Sequence, residues 1–155
     1  MKKYFGTDGI RGIPNQDLSR ELVHKVCQAV ENILSPQSIA VIGDTRASRN
    51  SIFKWISEGF SSKVCVIDYG VLPSGSLPYI LKEKNHDLGF IISASHNPSE
   101  YNGLKIIDNL GSKLSDETES SLEDSIIRNP LDQQDGAKVE KSSEGERIYL
   151  NNLVR

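Results

Sequence analysis

A three-layer α/β/α domain built on a mainly parallel, mixed sheet is predicted by three observations. First, short runs dense in β-branched residues alternate with stretches of helical period, in the order helix, strand, helix, strand, helix, strand. That alternation places helices on both faces of a parallel sheet. Second, the runs at 38–43 (SIAVIG), 63–67 (KVCVI) and 88–92 (LGFII) are largely apolar without alternation, as strands covered on both faces are. Third, the run at 88–92 gives way at once to the polar Ser93-Ala94-Ser95-His96-Asn97-Pro98. Open α/β sheets place their ligand sites where strands run out. Any chemistry is therefore expected in this loop, centred on Ser95 and His96.

The elements follow in order. Residues 1–14 hold three glycines, with short extended pieces expected at Tyr4-Phe5 and from Ile10 to Ile13 around a Thr7-Asp8-Gly9 turn. Arg11, between Ile10 and Gly12, either projects from backbone free to approach a ligand or is a charge tolerated at a glycine-rich edge. A helix is expected over 19–34, with Leu22, Val26, Ala29 and Ile33 on one flank. Ser19 or Asp17 would cap it, and Ser35-Pro36 would end it. After the strand at 38–43, the polar loop Asp44 to Asn50 leads into a helix over about 51–61 striped by Ile52, Ile56 and Phe60, with Trp55 off the stripe. The strand at 63–67, a turn at Pro73-Ser74-Gly75-Ser76 and a helix over about 77–84 precede the strand at 88–92. Asn-Pro and Asn-Gly then mark turns, and Ile106-Ile107 is expected to add an antiparallel strand at one edge.

Asp116 and Glu119 have capping-box spacing at the start of an acidic helix reaching about Ile127, and its acids read as a solvated face. Asn129-Pro130 stops it. Residues 131–147 read as a linker or short hairpin around Asp135-Gly136. Residues 146–155 turn amphipathic again, like the opening of a further domain. The expected division is thus a domain over 1–130, then a linker or hairpin and the start of a second domain over 131–155.

Composition bounds the function. At 155 residues, 37% of them hydrophobic, the chain can bury one ordinary core. Its 18 basic and 21 acidic side chains leave a formal charge of -3, which gives no case for nucleic acid. No segment approaches the roughly 20 apolar residues of a membrane span, and the opening MKKYFGTDG lacks a secretory apolar region. Cys27 and Cys65, with three histidines at no ligand spacing, read as free thiols of a cytoplasmic protein.

The residues alone leave several roles open. Ser93 reads as an ordinary strand cap. Ser95 sits in a compact turn whose successive N–H groups could nest a phosphate, and His96 could add a donor. No G-x-S-x-G elbow and no Asp/His pairing supports a hydrolase triad. Lys105 is either a solvated charge or faces the serine loop to neutralise phosphate or move a proton. Arg46, in Asp44-Thr45-Arg46, could cap locally or point toward Ser95.

Four pieces in order, FGTDGIRG (5–12), GDTRAS (43–48), ISASHNPSEYNGLK (92–105) and GSKLSD (111–116), resemble the α-D-phosphohexomutase superfamily. The opening KYFGTDGIRG looks most like its bacterial phosphoglucosamine mutase branch, with the phosphomannomutase/phosphoglucomutase branch close by. The resemblance implies an enzyme that interconverts sugar 1- and 6-phosphates through a phosphoserine, a bisphosphorylated sugar and Mg²⁺. Carried over residue by residue, Ser95 is the phosphoserine, His96 its neighbour, Lys105 the proton-transfer candidate and Arg11 a group beside the transferring phosphoryl. Arg46, Asn97 and Asn102 are taken as phosphate or substrate contacts. The phosphate on Ser95 would be one Mg²⁺ ligand, the other ligands lying outside this chain.

Two departures stand out. Arg49 replaces a small residue in the loop after Asp44, and the usual Pro/Thr turn reads Leu72-Pro73-Ser74-Gly75. Neither is expected to touch Ser95; both are expected to change how other domains dock. The family's DxDxD metal loop does not occur. The chain is therefore read as the first domain of a mutase, inactive alone, with a phosphosugar and the remaining domains of the same parent chain as partners. The competing reading is a stand-alone domain that binds a phosphosugar or a protein without catalysis.

Overall fold

The computed structural model describes residues 3–153. In chain order the elements are β1 (Ile10–Gly12), α1 (Arg20–Leu34), β2 (Ser38–Gly43), α2 (Arg49–Gly59), β3 (Cys65–Val71), α3 (Leu77–Lys84), β4 (Leu88–Ile92), β5 (Asn102–Asp108), α4 (Asp116–Arg128), β6 (Lys138–Lys141) and α5 (Gly145–Leu153). A single 3₁₀ turn, Ser74–Ser76, runs straight into α3. The sheet order is β1-β5-β4-β2-β3-β6. β4, β2, β3 and β6 are mutually parallel, while β5 is antiparallel to both β4 and β1. The predicted three-layer α/β/α domain with a mixed, mainly parallel sheet is what forms.

Alternation along the strands splits the core in two. Ile39 and Val41 of β2 pack with Val26, Val30, Ile56, Phe60 and Leu122, on the face covered by α1, α2 and α4. Ala40 and Ile42 pack with Leu77, Ile80, Leu81 and Ile148, on the face covered by α3 and α5. Trp55, off its helix's stripe, is buried in the first cluster. Ser19 caps α1 by accepting from the Leu22 N–H at 3.1 Å.

Several expectations are corrected. β5 starts at Asn102, and it is not an edge: β1 pairs on its far side, Ile10 opposite Leu104. The Asn102-Gly103 pair is thus strand, because pairing to β1 supplies backbone partners that a turn would lack. The α4 cap is Ser115, whose hydroxyl accepts from the Thr118 N–H at 3.1 Å. The acidic face of α4 is only partly solvated. Glu119 and Glu123 are buried, and Glu123 accepts from the backbone N–H groups of Tyr4 and Phe5 at 2.5 and 2.7 Å. Residues 131–147 form no hairpin. Asp132 N–H is held by Gln28 at 2.8 Å, and Asp135 accepts from the N–H and hydroxyl of Ser62, both at 2.8 Å. The strap then enters the sheet as β6, parallel to β3, and Ile148 of α5 is fully buried in the second core cluster. An open strand edge and an uncovered apolar face give this polar stretch its place.

Candidate active site

Two loops leave the sheet side by side. β2 and β4 are adjacent and parallel, so residues 44–48 and 93–101 emerge at the same edge. From there β2 leads to β3 on one side and β4 to β5 on the other. A crevice opens where connections part in this way.

Asp44 and Arg46 clamp the two loops together. The Asp44 carboxylate accepts from the Ser93 hydroxyl at 2.9 Å and from Arg46 Nε at 3.1 Å. Arg46 Nη1 donates to the carbonyls of Pro98 and Tyr101 at 2.7 and 3.1 Å, and Nη2 to those of Ser95 and Asn97 at 2.9 and 3.0 Å. Loop carbonyls have no ladder to join and need partners, and a planar fork of donors meets four at once. Arg46, expected at phosphate, therefore has its guanidinium engaged in moulding the serine loop. Ser93 is more than a strand cap, since its oxygen also accepts the Ser95 N–H at 3.0 Å.

Ser95 itself stands in a strained turn. The Asn97 N–H donates to the Ala94 carbonyl at 3.0 Å, and Ser95, second in that turn, has φ +52°. Left-handed backbone at this place favours glycine or asparagine. The other non-glycine residues at positive φ include Ser35 and Asn85, which end helices; Ser95 ends none. The amides of Ser95 and Asn97 are both engaged inside the loop, so the expected nest is reduced to the N–H of His96.

Arg11 reaches the loop from β1. Its Nη1 donates to Asn97 Oδ1 at 2.9 Å and its Nη2 to the Ser95 hydroxyl at 3.2 Å, with Asp8 at 3.5 Å. Gly103, opposite it on β5, makes room. A Cβ there would lie 2.6 Å from the Ser93 carbonyl and 3.0 Å from Arg11 Cγ. Lys105 stands opposite Ile91 on the same strand and has no hydrogen bond or ion pair among the described residues. A hollow of about 40 Å³ is lined by Asp8, Arg11, Ser74, Ser93, Ser95 and Lys105.

The remaining residues separate from this group. His96 is exposed and makes no hydrogen bond among the described residues. Asn102 is fully buried, donating to Ser48 Oγ at 2.8 Å and accepting from the Gly103 N–H at 2.8 Å. Its amide is engaged in framework bonds. Arg49 is turned into the protein. It is buried and paired with Asp68 at 2.5 Å. Ser74, in the turn at 72–75, lines the same hollow as Ser95. Its signal was a hydroxyl at the end of the strand next to β2, a place that topology alone brings to the crevice. Among the described residues, no three His, Cys, Asp or Glu gather to hold a metal ion.

Fold and site together define a three-layer α/β/α domain with a serine loop clamped at the carboxyl edge of its sheet. The family model for "Phosphoglucomutase/phosphomannomutase, alpha/beta/alpha domain I" matches residues 2–132. The chain belongs to that family. A phosphoglucosamine mutase of Alkaliphilus metalliredigens is 40% identical over 160 residues, covering 100% of this chain and 35% of that protein. One from Dictyoglomus turgidum is 39% identical over 133 residues, covering 83% of this chain and 30% of its own length. Among solved structures, a phosphoglucomutase/phosphomannomutase family protein of Burkholderia thailandensis has TM-score 0.76 at 19% identity, covering 95% of this chain and 35% of that one. The open form of parafusin from Paramecium has TM-score 0.72 at 16% identity, covering 99% and 36%. These structural likenesses speak to the fold. The chain spans about a third of the length of the curated relatives it matches.

Proposed function

We propose that this chain is the serine-bearing domain of a phosphosugar mutase whose parent interconverts glucosamine 6-phosphate and glucosamine 1-phosphate. The observation that carries the reading is Ser95. Its hydroxyl is exposed, held by Arg11, and set on a backbone that serine adopts at a cost, beside a hollow shared with Lys105. Strain of this kind persists where surrounding structure over-determines it, as it does at functional sites. Support for the amino sugar over mannose or glucose phosphate comes from the relatives named phosphoglucosamine mutase.

In this reading the Ser95 oxygen carries the phosphoryl group between the two sugar positions. A phosphoserine bears a charge of about -1.5 to -2 at neutral pH. Arg11 and Lys105 supply the opposing cations. Arg46, Asp44 and Ser93 fix the loop so that attack and departure are in line, which is most of what catalysis of phosphoryl transfer requires. Lys105, whose side chain has no partner among the described residues, takes or gives the sugar hydroxyl proton in this reading. Asp8 faces Arg11, and Asp44 is engaged with Ser93 and Arg46, so these residues do not by themselves fit Mg²⁺; we place its remaining ligands, with the sugar-selecting groups, in other domains of the parent. Two thiols without a disulfide go with the cytoplasmic location this chemistry entails.

The test is turnover of glucosamine 6-phosphate by the parent. Ser95→Ala is expected to lower kcat by about 10⁴-fold or more, the scale on which loss of a nucleophile is felt. Unchanged turnover would reject the assignment. The 155-residue chain alone is expected to be inactive, and steady turnover by it would show that no further domain is needed.

A further inference from the structure

The Ser74 hydroxyl is exposed, has no hydrogen bond among the described residues, and borders the hollow under Ser95. It comes from the far side of β2, carried by the turn after β3. The hollow, about 40 Å³, is large enough for a small polar group. Its walls hold two cations, Arg11 and Lys105, one carboxylate, Asp8, which lies 3.5 Å from Arg11, and beside Ser95 itself two hydroxyls, Ser74 and Ser93. Of these, Ser93 already donates to Asp44 and Arg11 already reaches Ser95 and Asn97. Ser74 and Lys105 remain with donors unengaged.

We propose that Ser74 is a positioning residue for the phosphoryl group on Ser95, its hydroxyl donating to a terminal oxygen from the wall facing Arg11. This deepens the phosphoserine reading and rests on it. A neutral donor on that wall lets the group seat without adding a third cation. The seated group is held firmly while remaining free to leave for the sugar. The turn at 72–75 thus belongs to the site.

The experiment installs phosphoserine at position 95 of the 155-residue chain and follows its second ionisation by ³¹P NMR, with thermal melting as the check on folding. In the unsubstituted chain this ionisation is expected below the ordinary value of about 6. Ser74→Ala is expected to raise it by about 0.5, the part of one charge-assisted hydrogen bond that differs between mono- and dianion. Ser74→Thr keeps the hydroxyl and is expected to leave it unchanged, and Lys105→Met is expected to raise it further than Ser74→Ala. If Ser74→Ala has no effect while Lys105→Met does, the role of Ser74 is overturned and the phosphoserine seat stands. If the folded chain titrates as it does in denaturant and no variant matters, the seat fails, and the phosphoserine reading with it.

Discussion

β4 has a histidine just before it and another just after it, and the two ends of the strand are finished in opposite ways. At the entry, His86 is buried with both ring nitrogens engaged, Nδ1 with Ser38 Oγ and Nε2 with Tyr69 OH at 2.7 Å. At the exit, His96 is exposed, neither it nor the Lys105 side chain has a partner among the described residues, and Ser95 occupies backbone that favours glycine. A closed network is what stability asks of buried polar groups. Lys105 and Ser74 line the hollow beside Ser95 with their side-chain donors unengaged among the described residues, while His96 stands outside it. The same strand thus separates framework from function by whether polar atoms are satisfied.

The sharpest way to break this contrast is to remove the framework residue that lies within the open end. Arg46→Met removes one side-chain donor shared by four loop carbonyls and Asp44, leaving Asp44 the Ser93 hydroxyl and the Pro98 carbonyl the Tyr101 N–H. Water can reach part of this loop, so the loss is expected to be about 2–3 kcal/mol of chain stability, the scale of one or two charged hydrogen bonds, read by urea unfolding. His96→Gln, at the free end of the same loop, is expected to leave stability unchanged. Equal effects from the two substitutions would erase the distinction between engaged and free groups.

The closed end makes its own prediction through pH. Burial holds the His86 imidazole below its ordinary 6.5, with Lys84 adding to the effect and Asp87 and Glu140 opposing it. His24 is lowered in the same direction, by burial first and then Arg20, against Glu58. The unfolded chain therefore binds protons that the folded chain refuses. This contribution is complete above the unfolded value near 6.5 and is lost as pH falls through it toward the lowered folded value. The melting temperature is expected to drop between pH 7 and 5.5, and His86→Gln is expected to reduce that drop. A flat profile in the unsubstituted chain would mean the closed end accepts a proton freely.

Much of this was legible in the sequence, for definite reasons. Runs such as SIAVIG and LGFII announce strands covered on both faces, and the break in polarity after Ile92 marks the edge where Ser95 lies. What stayed hidden depends on topology. Asn102-Gly103 carries a turn signature, yet β1 returns alongside and makes it strand. The acids of α4 look solvated by composition, but Glu123 is drawn inside by the unpaired amides of Tyr4 and Phe5. Arg49 looks like a surface departure. Only the parallel pairing of β2 and β3 puts Asp68 where it can meet that charge, in space that Gly43 leaves open, since a Cβ there would lie 2.8 Å from Arg49 Nε. The place of Ser74 is hidden for the same reason, because no local pattern says that the turn after β3 lies beside the loop after β4.

The smallest expected effect is the most direct measure of the open end's strain. If Ser95 is held at φ +52° for its hydroxyl and against its backbone preference, then the two ways of deleting that hydroxyl should differ. Ser95→Ala keeps a Cβ in the left-handed region, while Ser95→Gly removes it. Both lose the 3.2 Å bond from Arg11, so that term cancels between them. Glycine gains freedom in the unfolded chain, which works against it, but the left-handed penalty for a Cβ is about 1–2 kcal/mol. The glycine variant is thus expected to be the more stable of the two by about 0.5–1 kcal/mol, while both lack the hydroxyl. Alanine as stable as glycine would mean the turn relaxes once the hydroxyl is gone, so that the left-handed backbone follows from the serine's own contacts and the clamp of Asp44, Ser93 and Arg46 does not impose it.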